Sequence, residues 1–196
     1  MTARDEILGR VRAALADASE PPAASVPRRT PEADADVVAL FCERVADYRA
    51  DVERCSEAEL PERLRAALPE GARVVVPTDL DLDLPGAVAD DALSAADLDA
   101  LDAVVTRARL AIAETGTIVL DHGPGQGRRA ITLVPDHHVC VVDATQVVAD
   151  VPDAFDLIEG AGVLTWISGP SATSDIELDR VEGVHGPRRL HVIVVG

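Results

Sequence analysis

The sequence predicts an α/β fold in which a mostly parallel sheet is flanked by helices and preceded by an N-terminal helical appendage. Three observations carry that expectation. Short, predominantly apolar runs recur at residues 103–106, 117–120, 139–142, 163–167 and 190–195. Polar or helical stretches of ten to twenty residues separate most of them, which is the spacing of parallel strands buried on both faces. Hydrophobic residues make up 47% of the 196, but only four are aromatic, so the core must be built from aliphatic side chains.

Taken in order, Ile7, Leu8, Val11 and Leu15 recur at helical spacing and predict a short amphipathic N-terminal helix. Residues 19–36 then hold Pro21, Pro22, Pro27 and Pro31 and read as an extended connector. The expected organisation is an appendage over 1–36 and an α/β domain over 37–196. From Val37 to about Cys55, Val38, Leu40, Phe41, Val45 and Tyr48 follow a helical pattern, and residues 60–68 predict another helix stopped by Pro69-Glu70-Gly71. Val74, Val75 and Val76 form a β-branched run that predicts the first buried strand. Residues 79–102 are acid-rich and fit either loop or helix, and residues 107–112 read as a helix leading into the strand at 117–120.

Charge and cysteine usage exclude several function classes. The formal net charge is −17, and all 18 basic residues are arginine. Lysine chemistry is therefore absent, and an acidic chain has little means of neutralising nucleic acid or anionic lipid. Neither nucleic-acid binding nor a membrane span is expected, since no apolar run reaches about 18 residues. Cys42, Cys55 and Cys140 form no CxxC pair, so no disulfide framework or cluster-binding motif is written and a reducing, cytoplasmic setting is expected. On a strand, His138 and Cys140 share a face, but two ligands do not close a metal shell.

Four motifs carry candidate chemistry. In Ala113-Glu114-Thr115-Gly116-Thr117, a carboxylate at an element junction is a candidate nucleophile or base, and Gly116 would let a ligand approach the backbone. Placed at the end of a helix, Glu114 would oppose the macrodipole; the alternative is a solvated residue before a turn. Asp121 to Arg129 spell a GxGxG loop that fits neither dinucleotide nor P-loop spacing. Arg128 and Arg129 suit an anion clamp, or the segment is a plain surface loop.

The third motif, Ser168-Gly169-Pro170-Ser171, follows an apolar run and precedes Ser174-Asp175-Ile176-Glu177, which has the capping-box spelling. A strand, a tight turn and a helix start would gather hydroxyls and N–H donors around an anion, unless Asp175 and Glu177 already satisfy that helix end. Last, His185 lies between Gly183 and Gly186, as an acid, base or donor, or as a turn histidine without chemistry. The combined expectation is one pocket at the carboxyl ends of the strands, lined by Glu114, Thr115, Gly116, Arg129, Ser168, Gly169, Pro170, Ser171, Asp175 and His185.

These strings, with Leu133-Val134-Pro135-Asp136-His137-His138-Val139 and Gly183-Val184-His185-Gly186-Pro187, resemble the LUD-domain family in order from about Arg73 to the end. That family is similar in fold to the NagB/RpiA/CoA-transferase group. The resemblance implies a part in oxidising L-lactate to pyruvate alongside iron–sulfur partner proteins. It implies no cofactor in this chain and a small anionic ligand resembling lactate, pyruvate or a phosphorylated metabolite. Whether the subunit is itself catalytic stays open. The rival readings are a stand-alone CoA-transferase, isomerase or cyclo-ligase using Glu114, and a non-catalytic regulatory protein whose N-terminal helix docks on a partner.

Overall fold

The computed structural model describes residues 2–17, 36–158, 160, 162–173, 181–182 and 185–196. Helix α1 (Ala3–Ala14) begins at a Thr2–Asp5 capping box and buries none of its residues. Helix α2 (Val37–Asp47) is capped by the Asp36 carboxylate, which accepts from the Ala39 N–H. It ends sooner than the sequence predicts, because residues 51–55 leave the helical pattern to form strand β1 (Asp51–Cys55). Helix α3 (Leu60–Ala67) follows, and then β2 (Val74–Val76), which is thus the second strand rather than the first.

The acid-rich segment resolves into a short strand β3 (Val88–Ala89) and helix α4 (Ala95–Asp99). Strand β4 (Ala103–Arg107) runs on into β5 (Leu110–Ile112), which corrects the helix expected over 107–112. Leu110, Ala111 and Ile112 are all buried, and this run packs as a strand against β6 (Thr117–Leu120). With no helix before it, Glu114 opposes no macrodipole, and that argument for a special role falls away. Strands β7 (His137–Asp143) and β8 (Val147–Val148), helix α5 (Val151–Leu157) and strand β9 (Thr165–Ile167) come next. The chain ends with β10 (Ala172–Thr173), β11 (Val181–Glu182) and β12 (Arg189–Val195).

Six strands form a wholly parallel sheet in the order β1-β12-β7-β4-β2-β3, so the α/β expectation holds. Its two faces are covered differently. Leu60, Leu64 and Ala67 of α3 close one face over Val105, Val139, Val141 and Ile193. The other face meets Phe41 and Val45 of α2 together with a second sheet, ordered β8-β5-β6-β9, that the sequence does not announce. Helix α5 seals the far side of that sheet over Leu110, Ile112 and Val119. The result is α3, parallel sheet, second sheet with α2, then α5, each layer hiding the apolar face of the next. The β10–β11 pair is a separate antiparallel ribbon.

Candidate functional site

A cleft of about 310 Å³ opens where the edge of the second sheet meets the parallel sheet. One wall is β9 and the turn after it, Ser168 to Ser171; the facing wall is the 3-10 turn Arg129–Thr132 with Leu133. A third side is the turn His185-Gly186-Pro187, and the floor is His138 and Leu190. His138 and Leu190 are each the second residue of their strand, β7 and β12. The cleft therefore lies at the amino ends of the parallel strands, which corrects the expectation that it would lie at their carboxyl ends. At the carboxyl end of β4, Arg107 and Arg109 border a second polar cleft, but each is already held, by Asp81 and Asp121.

The expected residues divide by place. Arg129, Ser168, Gly169, Pro170, Ser171 and His185 all line the cleft, although 56 residues of sequence separate its ends. The backbone holds them there: the Ser171 N–H donates to Pro187 O at 2.8 Å, and the His185 N–H donates to Ser171 Oγ at 3.0 Å. Gly169 has a φ of +87°, and a side chain there would collide with Tyr48 Cβ at 2.6 Å, so glycine is required where the turn closes on the end of α2.

Glu114, Thr115 and Gly116 do not line the cleft; they form the turn between β5 and β6. Glu114 is exposed, with its N–H donating to Ala149 O. The space that a side chain on Gly116 would need is filled by the backbone of α2 at Arg44 and Val45, 2.8–2.9 Å away. Thr115 reaches the cleft only through Thr117, whose hydroxyl lies 2.7 Å from Thr115 Oγ1 and 2.8 Å from Ser168 Oγ. Asp175 and the helix start expected at 174–177 lie outside the described residues, and before them the chain runs extended through β10.

The two adjacent arginines have different situations. Arg128 donates to both oxygens of Asp90, at 2.6 and 2.8 Å, and to Leu93 O, so it is a structural clamp, and its hydrogen bonds hold the Asp90 carboxyl below the usual range. Arg129 has no carboxylate partner among the described residues and faces the cleft. The GxGxG loop itself is tied down: Asp121 Oδ1 accepts from Gly123 N–H and Gln126 Nε2, and His122 bonds Gly127 O and Thr165 Oγ1.

His138 is the site residue that sequence reasoning weighed only as a metal ligand. It is 1% exposed, yet it floors the cleft, and its Nε2 lies 2.8 Å from Thr106 Oγ1 on the neighbouring strand. The Thr106 hydroxyl in turn donates to Cys140 Sγ at 3.7 Å. Burial pushes the His138 pKa down to about 4 and the Cys140 thiol up to about 12, so both groups are neutral near pH 7. Among the described residues no group of three or more His, Cys, Asp or Glu is placed to hold a metal ion. Among the described residues the cleft thus offers the Arg129 cation, the neutral imidazole of His138, the His185 side chain and several hydroxyls, a set suited to a small carboxylate or phosphate.

Comparison with known proteins agrees with the architecture. Lactate utilization protein C of Deinococcus radiodurans is 43% identical over 203 residues, covering 99% of this chain and 96% of that protein. The protein of the same name from Bacillus subtilis is 34% identical over 99 residues, 46% of this chain and 41% of that one. A crystal structure of a DUF162 family protein from Deinococcus radiodurans matches with a TM-score of 0.72 and 41% identity, covering 85% of this chain and 100% of that chain. A family model described as LUD domain matches residues 90–195. The residues that line the cleft lie within that span, and the chain belongs to the LUD domain family.

Proposed function

We propose that this protein is a cytoplasmic component of a lactate utilisation system, and that the cleft holds a small carboxylate such as lactate or pyruvate on Arg129. The observation that carries the reading is the position of Arg129. It is a cation without a carboxylate partner among the described residues, set beside Ser168, Ser171 and neutral His138, in a chain of net charge −17. The similarity to lactate utilization protein C over nearly the whole chain supports the metabolic setting.

In this reading the chain supports oxidation of L-lactate to pyruvate, with the two electrons passing to iron–sulfur partner proteins. The cysteine chemistry supports assigning the clusters to the partners. Cys140 is sealed in the core with a raised pKa, and Cys42 and Cys55 sit on other elements with thiols also pushed up by burial. The test is growth on L-lactate of a strain lacking the gene. Wild-type protein restores growth; Arg129→Gln, folded and equally abundant, does not. Full restoration by Arg129→Gln overturns the assignment of the cleft.

A further inference from the structure

We infer that His138 makes the cleft selective for a 2-hydroxycarboxylate, accepting a hydrogen bond from the ligand's 2-hydroxyl group while Arg129 holds its carboxylate. The inference rests on the proposed function and deepens it by naming the group that distinguishes the alcohol from the corresponding 2-oxo acid.

The argument is a chain of donors and acceptors. Thr106 carries one hydroxyl proton, and that proton is directed at Cys140 Sγ. With that proton directed at sulfur, the oxygen is left to accept, and in the proposed arrangement His138 Nε2, 2.8 Å away, carries the ring proton and donates it to Thr106 Oγ1. A neutral imidazole protonated on Nε2 has a bare lone pair on Nδ1. Burial keeps the ring neutral, since its pKa is lowered to about 4. Nδ1 has no hydrogen-bond partner among the described residues, and the residue floors the cleft. Two paired strands, β4 and β7, fix this arrangement. The register places Thr106 opposite Cys140 and Val104 opposite His138, so the three side chains share one face of the sheet.

A buried acceptor facing a polar cleft selects for a donor. L-Lactate presents a hydroxyl that can donate to Nδ1. Pyruvate presents a carbonyl oxygen, lone pair against lone pair, and propionate presents only C–H at that position. The ligand best matched to the floor is thus the reduced, hydroxyl-bearing acid.

The test is calorimetry of the full chain near pH 7.5 with L-lactate, pyruvate and propionate, together with nitrogen-15 NMR of histidine-labelled protein. L-Lactate is expected to bind about tenfold more tightly than propionate, the difference one net hydrogen bond makes. Pyruvate is expected to bind no better than propionate, and the His138 signals should report the Nε2–H tautomer. Thr106→Val removes the acceptor that fixes the tautomer and should bring lactate and propionate to parity, whereas Thr106→Ser, keeping the hydroxyl, should restore the preference. If the three acids bind alike and Arg129→Gln weakens all of them, the carboxylate cleft stands and the role of His138 is overturned. Preference for pyruvate, or an Nδ1–H tautomer, overturns it as well. A chain that binds none of the three overturns the proposed ligand class itself.

Discussion

The hydroxyl oxygens of Thr117 and Ser168 lie 2.8 Å apart although 51 residues separate them in the chain, and this contact ties the β5–β6 turn to the rim of the cleft. Thr117 is buried, and its hydroxyl also meets Thr115 Oγ1. Thr117→Val keeps the shape and removes both contacts. The expected cost is about 1 to 2 kcal/mol in urea unfolding, with a few-fold loss of carboxylate affinity as Ser168 loses its tether. Unchanged stability and affinity together would remove Thr117 from the account of the rim.

Arg128 and Arg129 are neighbours with opposite expected phenotypes. Arg128→Gln strips a bidentate partner from Asp90, whose side chain is only 4% exposed, and should lower stability by about 2 to 3 kcal/mol. Arg129→Gln should leave stability within about 0.5 kcal/mol of wild type and cut carboxylate binding by at least about tenfold. Denaturation and calorimetry on the two variants check the assignment; the reverse pattern would exchange the roles.

Removal of residues 1–35 should leave the fold intact. No residue of α1 is buried, and Ile7, Val11 and Leu15 are 60%, 48% and 60% exposed. A chain beginning at Asp36 also keeps the carboxylate that caps α2. The melting temperature is expected to stay within about 2 °C of the full chain, corresponding to roughly 0.5 kcal/mol at this size. A larger drop would make the N-terminal segment part of the core.

The strands most legible in the sequence are those buried on both faces. Strands β4, β6, β7 and β12 read as apolar runs because helices or the other sheet cover each side. Strand β1 is an edge strand carrying Asp51, Glu53 and Arg54, so nothing in its pattern separates it from the end of α2. Strand β5 is only three residues long and is defined by its partners β6 and β8, which are distant facts. In the cleft, Ser168 to Ser171, His185 and Arg129 were legible because glycine and proline turns mark sheet-end loops. His138 was not, because it lies inside an apolar strand and acquires its meaning from Thr106, 32 residues earlier. A threonine in one apolar run and a histidine in another are the only traces in sequence, and pairing them requires the register.

Stability should fall as the pH drops from neutrality, through His137 and His138. Both are buried, and both have folded pKa values lowered to about 4 from an ordinary value of 6.5. For His137 the cause is first burial, then the charges of Arg189 and His191, partly opposed by Asp51 and Asp136. The unfolded chain then binds more protons than the folded one between about pH 6.5 and 4, so stability is fully present above pH 6.5 and declines below it. Asp81, Asp90 and Asp136 are held below the usual carboxylate range by Arg107, Arg128 and Arg188 and contribute only in more acidic solution. His137 allows the two histidines to be separated, because neither of its buried ring nitrogens has a hydrogen-bond partner among the described residues. Replacing it with leucine removes two orphaned polar atoms as well as the titration. His137→Leu is therefore expected to be at least as stable as wild type at pH 7.5. Its advantage should widen by about 2 kcal/mol at pH 5, following 1.36 kcal/mol per pKa unit over the interval below 6.5. Urea midpoints for both proteins at the two pH values check this, and a gap that does not change with pH would mean that His137 is not a buried neutral group.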